Sequence, residues 1–115
     1  MPYSRGDVVL VLFPDSNLTT AKRRPALVVQ ADNLSTGLSQ TLVAMITSNL
    51  SRAGHPCRVS ISLATAEGQQ TGLLNDSVIM TDNLATILDR AIDRRIGSLL
   101  NLNAVDTALR HTLKL

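Results

Sequence analysis

Three consecutive cations, Lys22-Arg23-Arg24, stand directly in front of Pro25 and the apolar run Ala26-Leu27-Val28-Val29. Proline has no N–H and restricts the preceding residue to extended geometry, so Arg24 is expected at a fixed angle where a strand begins. A guanidinium held in that way is a phosphate clamp, because its planar fork of donors is always charged and grips two oxygens at once. Taken alone, the triplet also reads as a solvated basic loop leading into a hairpin. A second group of interest closes the apolar stretch 41–47, where Thr47 and Ser48 form the exit. A threonine hydroxyl accepts one hydrogen bond and donates another, enough to orient a sugar hydroxyl or a phosphate oxygen. Its plain reading is a strand-end residue satisfying its own backbone.

Other chemical sets are sparse. His55 lies beside Pro56 in a turn and His111 on the polar face of a helix, so an acid–base pair would need the fold to bring the two together. No Cys/His cluster has metal-ligand spacing, and no glycine-rich phosphate loop is present, so neither metal nor cofactor is expected. Cys57 is the sole cysteine, which excludes an internal disulfide and reads as core filling.

These residues must be positioned by a small scaffold. The 115 residues suffice for one hydrophobic core and one domain, 1–115. Residues 8–13 and 25–31 are expected as Val- and Leu-rich strands, joined by a connection long enough to be a functional loop. Residues 41–47 are apolar on both faces, which marks a central strand. Between Cys57 and Leu63 the pattern alternates, placing Cys57, Val59, Ile61 and Leu63 inward and Arg58, Ser60 and Ser62 outward. Gly72 is expected to close a turn before a strand at 77–81, and 94–99 to form one more. Residues 103–115 read as a helix with Asn103 as N-cap, a buried stripe through Val105, Ala108, Leu109, Thr112 and Leu113, and an Asp106–Arg110 pair on its wet side. Several short strands with a terminal helix suggest a strongly bent antiparallel barrel capped by that helix.

Composition narrows the function. Residues 1–58 hold six cations against three anions, and residues 59–115 hold five against six. That mild asymmetry suits a local phosphate site better than a broad surface for duplex DNA. Tyr3 and Phe13 are the only aromatics, so a platform of stacked bases is excluded. The first apolar run stops at Pro14 after six residues, too short for a signal-peptide core or a membrane span, which places the chain in the cytoplasm with no membrane partner.

The opening Arg5-Gly6-Asp7-Val8-Val9, the Arg24-Pro25-Ala26-Leu27-Val28-Val29 strand, the Ile46-Thr47-Ser48 exit, the block Gly72-Leu73-Leu74-Asn75-Asp76-Ser77-Val78-Ile79-Met80-Thr81-Asp82 and the later Arg95-Ile96-Gly97-Ser98-Leu99 follow one another in that order. Together they resemble the MazF/PemK family of toxin endoribonucleases along essentially the whole chain. The resemblance implies a mainly β, SH3-like small antiparallel barrel with helical additions, shared with the gyrase-poisoning CcdB toxins, and a homodimer. It also implies the toxin component of a type II toxin–antitoxin system: a sequence-specific, metal-independent endoribonuclease. Such an enzyme cuts single-stranded RNA to 2',3'-cyclic phosphate and 5'-hydroxyl ends, stops translation and growth, and is held in check by a cognate antitoxin.

Carried over residue by residue, the family's catalytic arginine matches Arg24 and its catalytic threonine matches Thr47. In-line attack by the ribose 2'-OH builds negative charge on the phosphorane oxygens, which a preorganised guanidinium stabilises in the transition state. Lys22 and Arg23 are expected to hold phosphates, and Ser48 and Asn49 to read sugar or base edges. Asp82 matches an aspartate of the family's later block, but Met80 stands where some members carry arginine, and residues 15–20 lack the histidine such members place in the first long loop. Asp82 is therefore expected either at the RNA or bracing a turn. Two other functions compete. A gyrase poison of the same fold depends on a tryptophan-containing C-terminal end, whereas this chain finishes Thr112-Leu113-Lys114-Leu115 and has no Trp. A catalytically inactive binding module of the same barrel would have no reason to keep Arg24 and Thr47.

Overall fold

The computed structural model describes residues 3–14 and 21–115; the expected turn after Pro14 and the loop carrying Asp15 lie outside them. Six strands, β1 (Asp7–Pro14), β2 (Ala21–Val28), β3 (Gln40–Thr47), β4 (Arg58–Ile61), β5 (Ser77–Leu88) and β6 (Ile92–Ser98), form one antiparallel sheet in the order β4-β5-β3-β2-β1-β6. Two helices complete the fold, α1 (Ala66–Gln70) and α2 (Asn103–Leu113), with a single 3-10 turn at Asp89–Ala91 between β5 and β6. The sheet curls as an SH3-like barrel does but stays open, with β4 and β6 as its edges.

Both faces of the middle strands are apolar, so the sheet carries a core on each side. On one side Val8, Leu27, Ala44, Ile46, Ile61 and Ile79 pack with Val105 of α2 and Leu99. On the other, Val9, Val11, Ala26, Val28, Val43 and Met45 pack with Ile87 and Ile92, which the curl of the sheet brings over them. Removing an aliphatic side chain such as Val8 or Leu27 from water contributes about 1.5–3 kcal/mol each. The expected central position of residues 41–47 is observed, since β3 lies between β5 and β2.

Departures from the expected map have local causes. The basic triplet is not a loop: β2 already begins at Ala21, and Lys22, Arg23 and Arg24 pair with Phe13, Leu12 and Val11. β5 runs well past Thr81 because it jumps register against β3, from Met45↔Met80 to Ala44↔Leu84, leaving residues 81–83 as an irregular bend. Thr81 anchors that bend, its N–H and its hydroxyl both donating to the Cys57 carbonyl, at 3.1 and 2.6 Å. α1 was not anticipated; five residues are too few to show a helical period, although Thr65 caps it by accepting the Gly68 N–H at 2.9 Å. α2 is where expected, but Leu102 rather than Asn103 is its N-cap, with no side-chain cap, and the Asn101 side chain before it accepts the Asn103 N–H at 3.0 Å. Asp106 pairs with Arg5 rather than Arg110, and Arg5 also donates from Nε to the Val29 carbonyl at 3.0 Å, tying α2 to β1 and β2.

Candidate active site

The β2–β3 ladder sets the centre of the site. It runs Val28↔Val43, Leu27↔Ala44, Ala26↔Met45 and then stops beside Pro25, which has no N–H to extend it. Carried two residues further, the same register sets Arg24 across from Thr47, with no ladder hydrogen bonds between them. The strands part there, and a cleft of about 430 Å³ opens, lined by Arg23, Arg24 and Pro25 of β2, Ile46 and Thr47 of β3, and Ser48 just beyond.

The opposite wall is the loop between α1 and β5. Gly72 has φ +74°, and a Cβ there would lie 2.1 Å from the Ile96 carbonyl oxygen; a Cβ on Gly97 would lie 2.3 Å from the Gln70 oxygen. Both close approaches require glycine, so the loop rests backbone against backbone on β6. It contributes Leu73, Leu74 and Asn75 to the cleft, with Ser77 at the start of β5. Ser77 Oγ donates to the Asn75 carbonyl at 2.8 Å, which fixes this corner. Leu74 stands on the rim and is 89% exposed. β1 and β6 supply the floor through Leu10 and Ile96, and β6 adds Arg94 to the wall.

Three guanidinium groups therefore border the cleft, and they differ in their partners. Arg23 Nε donates to Asp93 at 2.9 Å. Arg24 and Arg94 are exposed and meet no carboxylate among the described residues. Thr47 Oγ1 accepts the Asn49 N–H at 3.1 Å, the turn expected of a strand-end threonine. Because that bond occupies a lone pair and leaves the hydroxyl proton, Thr47 remains able to donate into the cleft.

Of the residues expected at the site, Arg23, Arg24, Thr47 and Ser48 are brought together. Lys22 is exposed on β2 and does not line the cleft. Asn49 is also outside the lining, its Oδ1 accepting the Ser51 N–H at 3.0 Å. Asp82 lies in the β5 bend, where Arg58 Nη2 donates to Oδ2 at 3.1 Å and Nε lies 2.9 Å from Oδ1 without hydrogen-bond alignment. That hydrogen bond holds the Asp82 carboxyl below its ordinary range and raises Arg58 above its own. Arg58, expected to face outward, is only 14% exposed along its side chain. Neither histidine lines the cleft: His55 Nδ1 accepts the Cys57 N–H at 3.2 Å, and His111 is exposed on α2. Arg94, Asn75 and Ser77 are lining residues that sequence reasoning did not single out. For Arg94 the only signal was its place in an Arg-Arg pair inside an expected strand.

Comparison with known proteins identifies the fold and the family. Endoribonuclease MazF2 of Mycobacterium bovis and endoribonuclease MazF6 of Mycobacterium tuberculosis are each 33% identical to this chain over 117 residues, covering all of both chains. Among solved structures, the Mycobacterium tuberculosis toxin MazF-mt6 superposes with a TM-score of 0.70 at 25% identity, covering 93% of this chain and 97% of that one. A mycobacterial endoribonuclease in complex with its cognate antitoxin shares the fold with a TM-score of 0.75 at 19% identity, covering 98% and 96%. A family profile described as PemK-like, MazF-like toxin of type II toxin–antitoxin system matches residues 4–113, and the chain belongs to that family.

Proposed function

We propose that this toxin is an endoribonuclease whose cleft binds single-stranded RNA, with Arg24 and Thr47 carrying the cleavage. The observation that supports this reading is the meeting of Arg24, which has no carboxylate partner among the described residues, with the Thr47 hydroxyl across the parted β2 and β3 strands. The 2'-oxygen attacks the adjacent phosphorus and loses its proton as the bond to the 5'-oxygen breaks. That oxygen leaves protonated as a 5'-hydroxyl, and the phosphate closes onto the 2'- and 3'-oxygens. Arg24 neutralises the charge that grows on the non-bridging oxygens, and Thr47, its acceptor side engaged by Asn49, donates to one of them. Ser48 and Asn75 are the polar groups placed to contact sugar or base edges. Asp82 belongs with the frame, as the counterion of Arg58.

The active form is a homodimer in the cytoplasm, where its RNA substrate is. Its inhibitor is a cognate antitoxin, a reading supported by the mycobacterial endoribonuclease solved with its own antitoxin, and an acidic antitoxin segment would compete for the same cationic cleft. The test is digestion of a long defined RNA by the purified protein in excess chelator, with both ends of each cut mapped. Cyclic phosphate and 5'-hydroxyl ends are expected. Uncut RNA, or cleavage that returns only with a divalent metal, would overturn the reading.

A further inference from the structure

We infer that Arg94, on β6, is the second phosphate-binding cation of the cleft, and that with Arg24 it spans two phosphates of one RNA strand. This rests on the RNA-cleavage reading above and adds a residue from the far side of the site. Cross-strand pairing places Arg94 opposite Leu10, and Leu10 opposite Pro25, in one row over β6, β1 and β2. Two strand spacings put the Arg94 and Pro25 backbones about 10 Å apart, and both Arg94 and Arg24, the neighbour of Pro25, line the cleft. Between them the floor is apolar, built from half-buried Leu10, Pro25 and Ile96. An apolar floor lowers the local dielectric and strengthens each charge contact made above it.

The third cation is engaged elsewhere. The β1–β6 ladder shifts register between Leu10 and Val11, leaving Asp93 without a partner in the pairing, and Asp93 takes Arg23. The next residue along β6, Arg95, is taken by Asp7 at 3.0 Å. Arg94 lies between two residues engaged in ion pairs, meets no carboxylate among the described residues, and is exposed in the cleft wall. An unpaired guanidinium in a concave site is suited to a polyanion, and its planar fork grips a phosphate through two oxygens.

The experiment measures binding of a fluorescent, 2'-O-methylated, random-sequence single-stranded RNA, which carries the phosphates but cannot be cut, over a series of salt concentrations. The proteins are wild type, Arg94→Ala, Arg94→Lys, Arg23→Ala and Arg95→Ala, each checked for an unchanged melting temperature. Arg94→Ala is expected to weaken binding about tenfold and to reduce the slope of log affinity against log salt by about 0.7, the value for one lost single-strand phosphate contact. Arg94→Lys should recover the slope and part of the affinity. Arg23→Ala should cost less than Arg94→Ala, and Arg95→Ala, which removes the same charge one residue away, should leave the slope at its wild-type value. If wild type binds and cuts RNA but Arg94→Ala keeps the full slope, or if Arg23→Ala or Arg95→Ala matches its loss, the assignment of Arg94 fails alone. If wild type neither binds nor cuts, the RNA reading fails and this inference with it.

Discussion

Arg24 and Arg58 are the same residue type on the same sheet, and their surroundings could hardly differ more. Arg58 lies at the β5 bend, mostly buried, with Asp82 against it and a raised pKa that follows from that bond. Arg24 stands where two strands part, exposed to the cleft, with no carboxylate among the described residues to neutralise it. The first arrangement satisfies a charge within the protein. The second leaves a charge to be satisfied by something else. Position in the fold, rather than residue type, separates a cation that braces the sheet from one that meets a ligand, and substitution should separate the two groups in the same way.

The largest effect is expected at Arg24. Arg24→Ala should lower the cleavage rate by about 10²–10³, as for removal of one preorganised oxyanion donor, with the melting temperature unchanged. A variant that melts early and keeps its rate per folded molecule would reverse the comparison. Thr47→Val keeps the branched shape and loses only the hydroxyl, so turnover should fall by roughly ten- to a hundredfold, about 1.4–2.7 kcal/mol of transition-state stabilisation. Because the Asn49 N–H also loses its acceptor, a small drop in stability should accompany it.

Asp82 should behave in the opposite sense. Asp82→Asn strips the counterion from a largely buried guanidinium while its own carboxylate is 42% exposed, so the expected loss of stability is about 1 kcal/mol, with specific cleavage activity retained. The pH dependence has a definite sign. Asp82 is held below its ordinary 3.8, so its contribution is complete above that value and is lost as the pH falls through the lower folded one. Wild-type melting temperature should therefore fall more steeply than that of Asp82→Asn as the pH is lowered below about 4. Equal slopes would mean that the pair does nothing for stability, and a loss of specific activity would return Asp82 to the RNA.

Much of this arrangement was legible in the sequence wherever a pattern was regular. The inward Cys57, Val59 and Ile61, the doubly apolar run of β3 and the Val105, Ala108 and Leu109 stripe of α2 each stand out in a window of residues, although Arg58, expected outward, is largely buried and Leu113, expected in the stripe, is half exposed. Arg24 and Thr47 were legible through their neighbours, a proline and a strand exit, and through the family resemblance. What stayed hidden lies at irregularities. The register jump in β5 absorbs residues 81–83, so nothing periodic announces that the strand resumes at Leu84. The two register shifts of β6 leave Ile96 and Asp93 unpaired with β1, so a simple alternation mis-assigns which residues face the cleft, Arg94 among them. Arg23 looked equivalent to Arg24 because its acid, Asp93, is seventy residues away in sequence. The sheet's failure to close is likewise a matter of edge pairing that no local pattern records.

The described lining of the cleft has one further consequence. It contains arginines, hydroxyls, an amide and apolar groups, and no histidine, carboxylate, thiol or lysine. None of these side chains is an ordinary general acid or base, so the lining itself offers no residue to carry the proton. If hydroxide removes the 2'-hydroxyl proton, the logarithm of the cleavage rate should climb with pH in a straight line of slope near one (roughly one proton lost), and a flat profile would mean that water removes it. A bell-shaped profile would instead require an acid and a base from outside this lining.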